Sequence, residues 1–308
     1  MLGIRNGWKG LVENDGFALD LGAVSGIIHR GGTILGTSRT NPYKDPVALE
    51  KVKNNFKKMG LEALIAIGGE DTLGVASKFC KDGFPVVGVP KTIDNDLSGT
   101  DVTFGFDTAV NVAMEAIDRL HTTAESHRRI MVVEVMGRHA GWIAVHSGIA
   151  GGADLILIPE FPIKMQDVCD VIKKRLARGK FFSIIVVAEG AKFEGSEVLL
   201  EKKLDEFGHV RLGGIGELLA SKIEDAMKLE TRVVVLGHVQ RGGTASAFDR
   251  VLGTRFGEKA VQLVKKKEFG NMVALRGNEI VSIPIAEAVS KLKTVDARYY
   301  DMARTFFG

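Results

Sequence analysis

The sequence predicts an α/β protein whose parallel sheets carry helices on both faces. Two observations predict it. Short apolar runs alternate with longer stretches of helical period along the chain. Several runs, Ser183–Ala188 above all, are apolar or small throughout, as strands covered on both faces require.

The elements follow in order. Ala63–Ile67 reads as a buried strand ending in glycines, Thr72–Cys80 as a helix and Pro85–Val89 as a strand. Phe104–Glu125 is a long helix, because Ala109, Val112, Ala113, Ala116, Ile117 and Leu120 fall on one face. A strand at Ile130–Met136, a helix near Ala140–Ala150, a strand at Leu155–Ile158 and a helix over Met165–Ala177 precede the strand Ser183–Ala188. After a polar stretch, Lys192–Arg211, come a helix from Ile215, a strand at Arg232–Leu236 and a helix over Arg250–Lys266. Two short strands, Met272–Leu275 and Ile280–Ile283, close the pattern. No sequence repeat and no Pro/Ser-rich linker marks a domain boundary.

Composition narrows the function classes. With 41 Lys+Arg against 38 Asp+Glu the net charge is only +3, which points to neither a nucleic-acid nor a membrane-surface partner. Cys80 and Cys169 fit no metal or redox spacing, so a reducing cytoplasm is expected. No apolar run approaches the roughly 20 residues that span a bilayer, and Met1–Glu13 lacks a signal-peptide core. A soluble, cytoplasmic protein is the expectation.

In parallel α/β sheets, ligands bind where strand ends lead into helix N-termini, so those loops are the candidates for chemistry. Gly68-Gly69-Glu70-Asp71-Thr72 could bring backbone amides to an anion, with an acid for a metal; a turn capped by Asp71 or Thr72 is the alternative. In Pro90-Lys91-Thr92-Ile93-Asp94-Asn95-Asp96, the two acids share a face if the segment is extended. One can take a hydroxyl proton while the other orders a cation, and Lys91 can balance a polyanion; an Asx-rich turn is the alternative. Met136-Gly137-Arg138-His139-Ala140-Gly141 sets an arginine among glycines, suited to a phosphate or sugar. Gly237-His238-Val239-Gln240-Arg241-Gly242-Gly243, preceded by Arg232, reads as a cradle for a phosphate ester. Glu189, at the end of an apolar strand, is either an acceptor for a sugar hydroxyl or a helix-cap partner. No Walker motif is present, and Gly214-Ile215-Gly216 follows a polar segment rather than a strand, so it is weak evidence for a dinucleotide site.

These four loops, in this order and spacing, resemble those of the phosphofructokinase family, and the likeness runs from Gly3-Ile4-Arg5-Asn6-Gly7-Trp8 to Met302–Gly308. The resemblance implies a phosphofructokinase-like fold: two parallel-sheet α/β/α sandwich domains with the active site in the cleft between them. The phosphoryl-donor domain would comprise residues 1–105 plus about 244–290, and the sugar-phosphate domain about 106–243 plus 291–308.

It also implies roles. Asp94 is the base for the C1 hydroxyl of fructose 6-phosphate, with Thr92 beside it on the transferred phosphoryl group, and Lys91 and Arg138 complete the catalytic set. Glu70, where the family more often has Asp, and Asp96 order Mg2+. Gly69, Thr72 and Arg39 meet the donor. Ile93, Met136, Gly137, Arg138 and Glu189 line the sugar site. His238, Val239, Gln240 and Arg241 bind the sugar phosphate, and Arg129 and Arg232 reach it from a neighbouring subunit of a homodimer or homotetramer. ATP-using relatives typically have Gly at the positions of Asp71 and Lys91; the Asp-plus-Lys pair is the mark of members that use pyrophosphate.

Two alternatives stay open: ATP as donor, or a non-catalytic sugar-phosphate-binding paralogue. The family's usual layout also places a strand and a Gly-rich loop ahead of the segment that opens this sequence. The expectation is therefore that Met1 is a mis-assigned start or a fragment boundary, and that the shorter chain folds poorly and transfers weakly.

Overall fold

A computed structural model describes residues 1–195 and 213–308, so the polar stretch expected over Lys192–Arg211 lies mostly outside the described residues. The chain opens with β1 (Leu2–Ile4), α1 (Trp8–Glu13), β2 (Gly16–Ala18), α2 (Leu21–Val24) and α3 (Pro46–Lys58). Asp45 caps α3 by accepting from Val47 N, and Pro46 stands at its first turn, where a missing N–H costs nothing.

Next come β3 (Leu64–Gly68), α4 (Glu70–Lys81), β4 (Val86–Thr92), the two-residue β5 (Phe104–Gly105) and α5 (Phe106–His127). The second half holds β6 (Ile130–Val135), α6 (Trp142–Ala150), β7 (Leu155–Leu157), α7 (Met165–Ala177), β8 (Ser183–Ala188), α8 (Ile215–Met227) and β9 (Thr231–Val235). The chain ends with α9 (Ala247–Lys265), β10 (Asn271–Arg276), β11 (Glu279–Pro284), α10 (Ile285–Ala288) and α11 (Ala297–Arg304).

Two sheets organise these elements. The first runs β11-β10-β4-β3, with β5 also paired to β4; the second runs β7-β8-β6-β9 and is parallel throughout. Both are covered on both faces. In β6, Ile130 and Val132 pack with residues of α7 and α8, while Met131, Val133 and Val135 pack with α5 and α6. In the first sheet, Val86 packs with α3 and α4, and Val87 and Val89 with α9. Each such side chain is worth about 1.5–3 kcal/mol on burial, which is why these strands read as continuous apolar runs.

Parallel pairing fails in two places. β10 and β11 are antiparallel, from Asn271↔Pro284 to Arg276↔Glu279, because only Gly277 and Asn278 separate them and a parallel return needs a dozen residues or more. β1 and β2 form a separate antiparallel pair, in strands of three residues that are too short to show a period.

The second strand also runs further than the apolar run predicts. β4 continues through Pro90 to Thr92, because Lys91 and Thr92 pair with Phe104 and Gly105 of β5.

Candidate active site

In each sheet a central strand aims a functional loop from its carboxyl end. β4 lies between β3 and β10, and β6 between β8 and β9, so both loops leave where the strand order reverses, the usual crevice of such sheets. The two ends meet across a cleft of about 860 Å3. Arg39, Gly69, Glu70, Asp71, Thr72, Lys91, Thr92, Ile93, Asp94, Asp96, Arg138, Gln240 and Arg241 all line it.

On the first sheet, α4 begins at Glu70 with Gly69 as its cap, and the cap gives no side-chain hydrogen bond. The expected alternative, a turn capped by Asp71 or Thr72, is therefore not what forms. The positive end of the helix dipole opens into the cleft beside Glu70 and Asp71. Gly68 permits the close turn: a Cβ there would stand 2.5 Å from Thr72 Oγ1.

The following loop is not extended. Asn95 has φ 53°, in the left-handed region, so Asp94 and Asp96 do not share a face by strand alternation. A turn brings both into the interior instead. Asn95 is held by its own amide: Oδ1 accepts from Thr103 N at 3.1 Å and from Lys293 Nζ at 3.2 Å.

Asp94 and Asp96 are buried, and each has an Oδ1 without a hydrogen-bond partner. Asp94 Oδ2 accepts from Thr92 Oγ1 at 3.5 Å and lies 4.0 Å from Arg138 Nε. Burial lifts the Asp94 carboxyl above the ordinary range, against the pull of Arg138 and Arg241. Burial, then the charge of Asp94, pushes Asp96 up to about 7, with Glu70 adding to the rise. Lys91 is exposed on the cleft wall, but loss of hydration among its neighbours, then the charge of Arg241, lowers its pKa.

On the second sheet, Gly137 has φ 137°, and a Cβ there would meet Ala140 O at 2.5 Å. Arg138 follows at φ 52° and donates its N–H to Glu189 Oε1 at 3.1 Å. Glu189, its pKa raised chiefly by burial, thus supports the arginine loop rather than capping a helix. Met136 is buried just behind; its N–H donates to Gln240 Oε1 at 3.3 Å, while Gln240 Nε2 donates to Gly237 O at 3.1 Å. Gln240 lines the cleft, yet both ends of its amide are used to hold the short helix Gly237–Arg241. His238 and Val239 are exposed on that turn.

Arg129 and Arg232 do not join the cluster. They sit at the amino ends of β6 and β9, opposite the end that carries Arg138, a strand length of about 20 Å away. Arg129 pairs with Glu230 at 2.9 Å and keeps a buried Nε without a partner.

Sequence reasoning passed over three residues. Asn95 was read only as a turn former. Lys293 is 198 residues from the loop it touches. Glu134, in β6 just before the arginine loop, is structural: it is buried and accepts from Gly214 N at 3.3 Å and Gly216 N at 2.8 Å. The anion at the N-terminus of α8 is thus the protein's own, and Gly214-Ile215-Gly216 holds no dinucleotide.

The donor set suits a hard divalent cation. Asp96, buried with an unpartnered Oδ1, and the nearby Glu70 are oxygen ligands of the kind Mg2+ takes. No three His, Cys, Asp or Glu side chains converge to hold a metal alone among the described residues. Mg2+ commonly completes its shell with water and substrate phosphate, so two protein carboxylates are sufficient.

Comparison with known proteins agrees with this architecture. The Phosphofructokinase family model matches residues 1–264. The chain is 59% identical over 308 residues to a pyrophosphate–fructose 6-phosphate 1-phosphotransferase of Streptomyces coelicolor, covering 99% of this chain and 90% of that protein. It is 53% identical over 301 residues to a protein of the same organism called ATP-dependent 6-phosphofructokinase 3, covering 97% and 88%. A solved structure of phosphofructokinase from Saccharomyces cerevisiae superposes with a TM-score of 0.79 at 31% identity, over 98% of this chain; this chain spans 41% of that longer one. The chain belongs to the phosphofructokinase family. No described helix is long and apolar enough to cross a membrane.

Proposed function

We propose that this chain is a phosphotransferase that moves a phosphoryl group, reversibly, from inorganic pyrophosphate to the C1 hydroxyl of fructose 6-phosphate. One observation carries the reading: a buried, partly unsatisfied Asp94 shares a cleft with Arg138, Lys91 and Asp71. Asp94, its pKa raised by burial, accepts the C1 proton as the C1 oxygen bonds to phosphorus. The bridging P–O bond of pyrophosphate breaks and orthophosphate leaves. Lys91, Arg138 and the N-terminus of α4 face the charge on the transferred group, which is where such a loose transition state is stabilised. Glu70 and Asp96 would hold Mg2+, which would neutralise phosphate charge when bound.

Asp71 sets the donor. A carboxylate at the start of α4 repels the additional phosphate of a nucleotide, while Lys91 supplies the charge a small inorganic donor needs. The Streptomyces relative named for pyrophosphate supports this, and the one named for ATP keeps the second donor in play. A donor-swap assay separates them: turnover with pyrophosphate and little with ATP is expected, and the reverse result would reject the assignment.

Arg129 and Arg232, far from their own cleft, are assigned to a neighbouring subunit's sugar-phosphate site, in a homodimer or homotetramer. His238 and Arg241 serve the same phosphate from within the chain. Residues 1–105 with about 244–290 form the donor domain, and about 106–243 with 291–308 the sugar domain. We place the protein in the cytoplasm.

A further inference from the structure

Residues 291–295 cross between the two sheets and touch the functional loops of both. Leu292 forms an antiparallel bridge with Leu97, and Ser98 Oγ donates to Lys291 O at 2.7 Å. Lys293 N donates to Asp96 O at 2.8 Å. The Lys293 ammonium donates to Asn95 Oδ1 at 3.2 Å and to Asp101 O at 2.5 Å, and stands 5.0 Å over the Trp142 ring. On the other side, Trp142 Nε1 donates to Lys293 O at 2.9 Å. Two residues further on, Val295 N donates to Glu160 Oε1 at 2.8 Å, and the same oxygen accepts from Gly141 N at 3.0 Å.

The clamp has a specific task. Asparagine tolerates left-handed as well as extended backbone, so its conformation is set by its surroundings. Asn95 is left-handed, and it stands between the two acids. Its side-chain oxygen is held by two donors, one of them the Lys293 ammonium, the only charged group of the pair. Trp142 and Gly141 open α6, directly after the Arg138 loop.

We propose that Lys293 is a positioning residue for phosphoryl transfer. It fixes Asn95, and so aims Asp94 and Asp96, while tying their loop to the one that carries Arg138. The proposal rests on Asp94 being the base, as assigned above.

Lys293→Met keeps the aliphatic stem and removes the ammonium; Lys293→Arg keeps a cation. A displacement of about 1 Å in a reacting group costs about 100-fold, so the Met variant is expected to lose about that much kcat. Its KM for fructose 6-phosphate should stay within about threefold, since His238 and Arg241, assigned to the sugar phosphate, lie outside the two clamped loops. The Arg variant should recover most of the loss. Hydrogen exchange of amides 93–103 should quicken in the Met variant while exchange in β6 and β8 stays unchanged. Wild-type kcat, or unaltered exchange at 93–103, would overturn the proposal. If the Met variant does not fold, Trp142→Phe, which removes the bond to Lys293 O and shrinks the ring beneath the ammonium, carries the same two readouts. Because exchange is read without turnover, altered exchange in a protein that never uses pyrophosphate would support the clamp and reject the functional reading.

Discussion

Asp71 Oδ2 and Arg138 Nη1 face each other across the cleft at 3.6 Å, linking the start of α4 to the loop behind β6. The acid assigned to donor choice therefore also touches the cation assigned to the transferred group. Arg138 lies between two carboxylates, Asp71 at 3.6 Å and Asp94 at 4.0 Å. A phosphoryl group entering the cleft would compete with both for the same guanidinium.

Asp71→Gly tests this directly. Removing a like charge facing the donor should raise kcat/KM for ATP by about tenfold or more, equivalent to about 1.4 kcal/mol. The same change releases Arg138, so kcat with pyrophosphate should fall. Steady-state kinetics with both donors decides, and unchanged use of ATP would show that Asp71 does not set the choice.

Asp94→Asn keeps the shape of the loop and removes the base. General-base catalysis is worth about 100- to 10,000-fold, so kcat should drop within that range. Binding of fructose 6-phosphate, measured by calorimetry, should persist.

Subunit sharing predicts complementation. Asp94→Asn and the double variant Arg129→Ala/Arg232→Ala should each be nearly inactive alone. After joint unfolding and refolding, half of randomly paired dimers are hybrids with one intact site, giving about a quarter of wild-type activity. No recovery on mixing would mean that these arginines do not serve a neighbour.

His146 gives the fold a pH dependence. It is packed against Phe106 at 5.0 Å and Tyr299 at 5.4 Å, with Tyr299 Oη 3.2 Å from Nε2. Burial, then Lys293, lowers its pKa below the usual 6.5. The unfolded chain therefore takes up the proton first as pH falls below 6.5, and stability declines from there towards the folded-state pKa. In His146→Gln, urea midpoints at pH 7.5 and 5.5 should differ less than in the wild type. An equal difference in both proteins would exclude this histidine as the source.

Gly137→Ala places a methyl against Ala140 O at a left-handed position. It should cost about 1–3 kcal/mol of stability, read by thermal melting, and shift the Arg138 loop. A melting temperature equal to that of the wild type would show that the loop relaxes freely.

The strands and the four cleft loops were legible because each follows an apolar run and joins glycines to charged residues, a pattern that local sequence carries. Asp94, Asp96 and Arg138 stood out for that reason. The turn at Asn95 was legible only as one of two alternatives, since asparagine tolerates both extended and left-handed backbone and its choice is set by Thr103 and Lys293. Lys293 itself lies in an unremarkable basic segment, and only the folded chain brings it to the site. The antiparallel β10–β11 pair was readable in principle from its two-residue connection, but the buried apolar character of β10 matches that of its parallel neighbour β4. The structural role of Glu134 was not legible either, because its partners, two glycine amides, come from a segment 80 and 82 residues on.

The chain visits the first sheet, leaves for the second, returns to add β10 and β11, and finally lays α11 against β7 and α6. No single cut between neighbouring residues separates the two sheets, because β6–β9 lie in the chain between β5 and β10. A gene split anywhere between β5 and β10 would divide the strands of the first sheet between the two pieces. Such pieces should be recovered as a working protein only when expressed together, and limited nicking should leave a complex that separates only in denaturant.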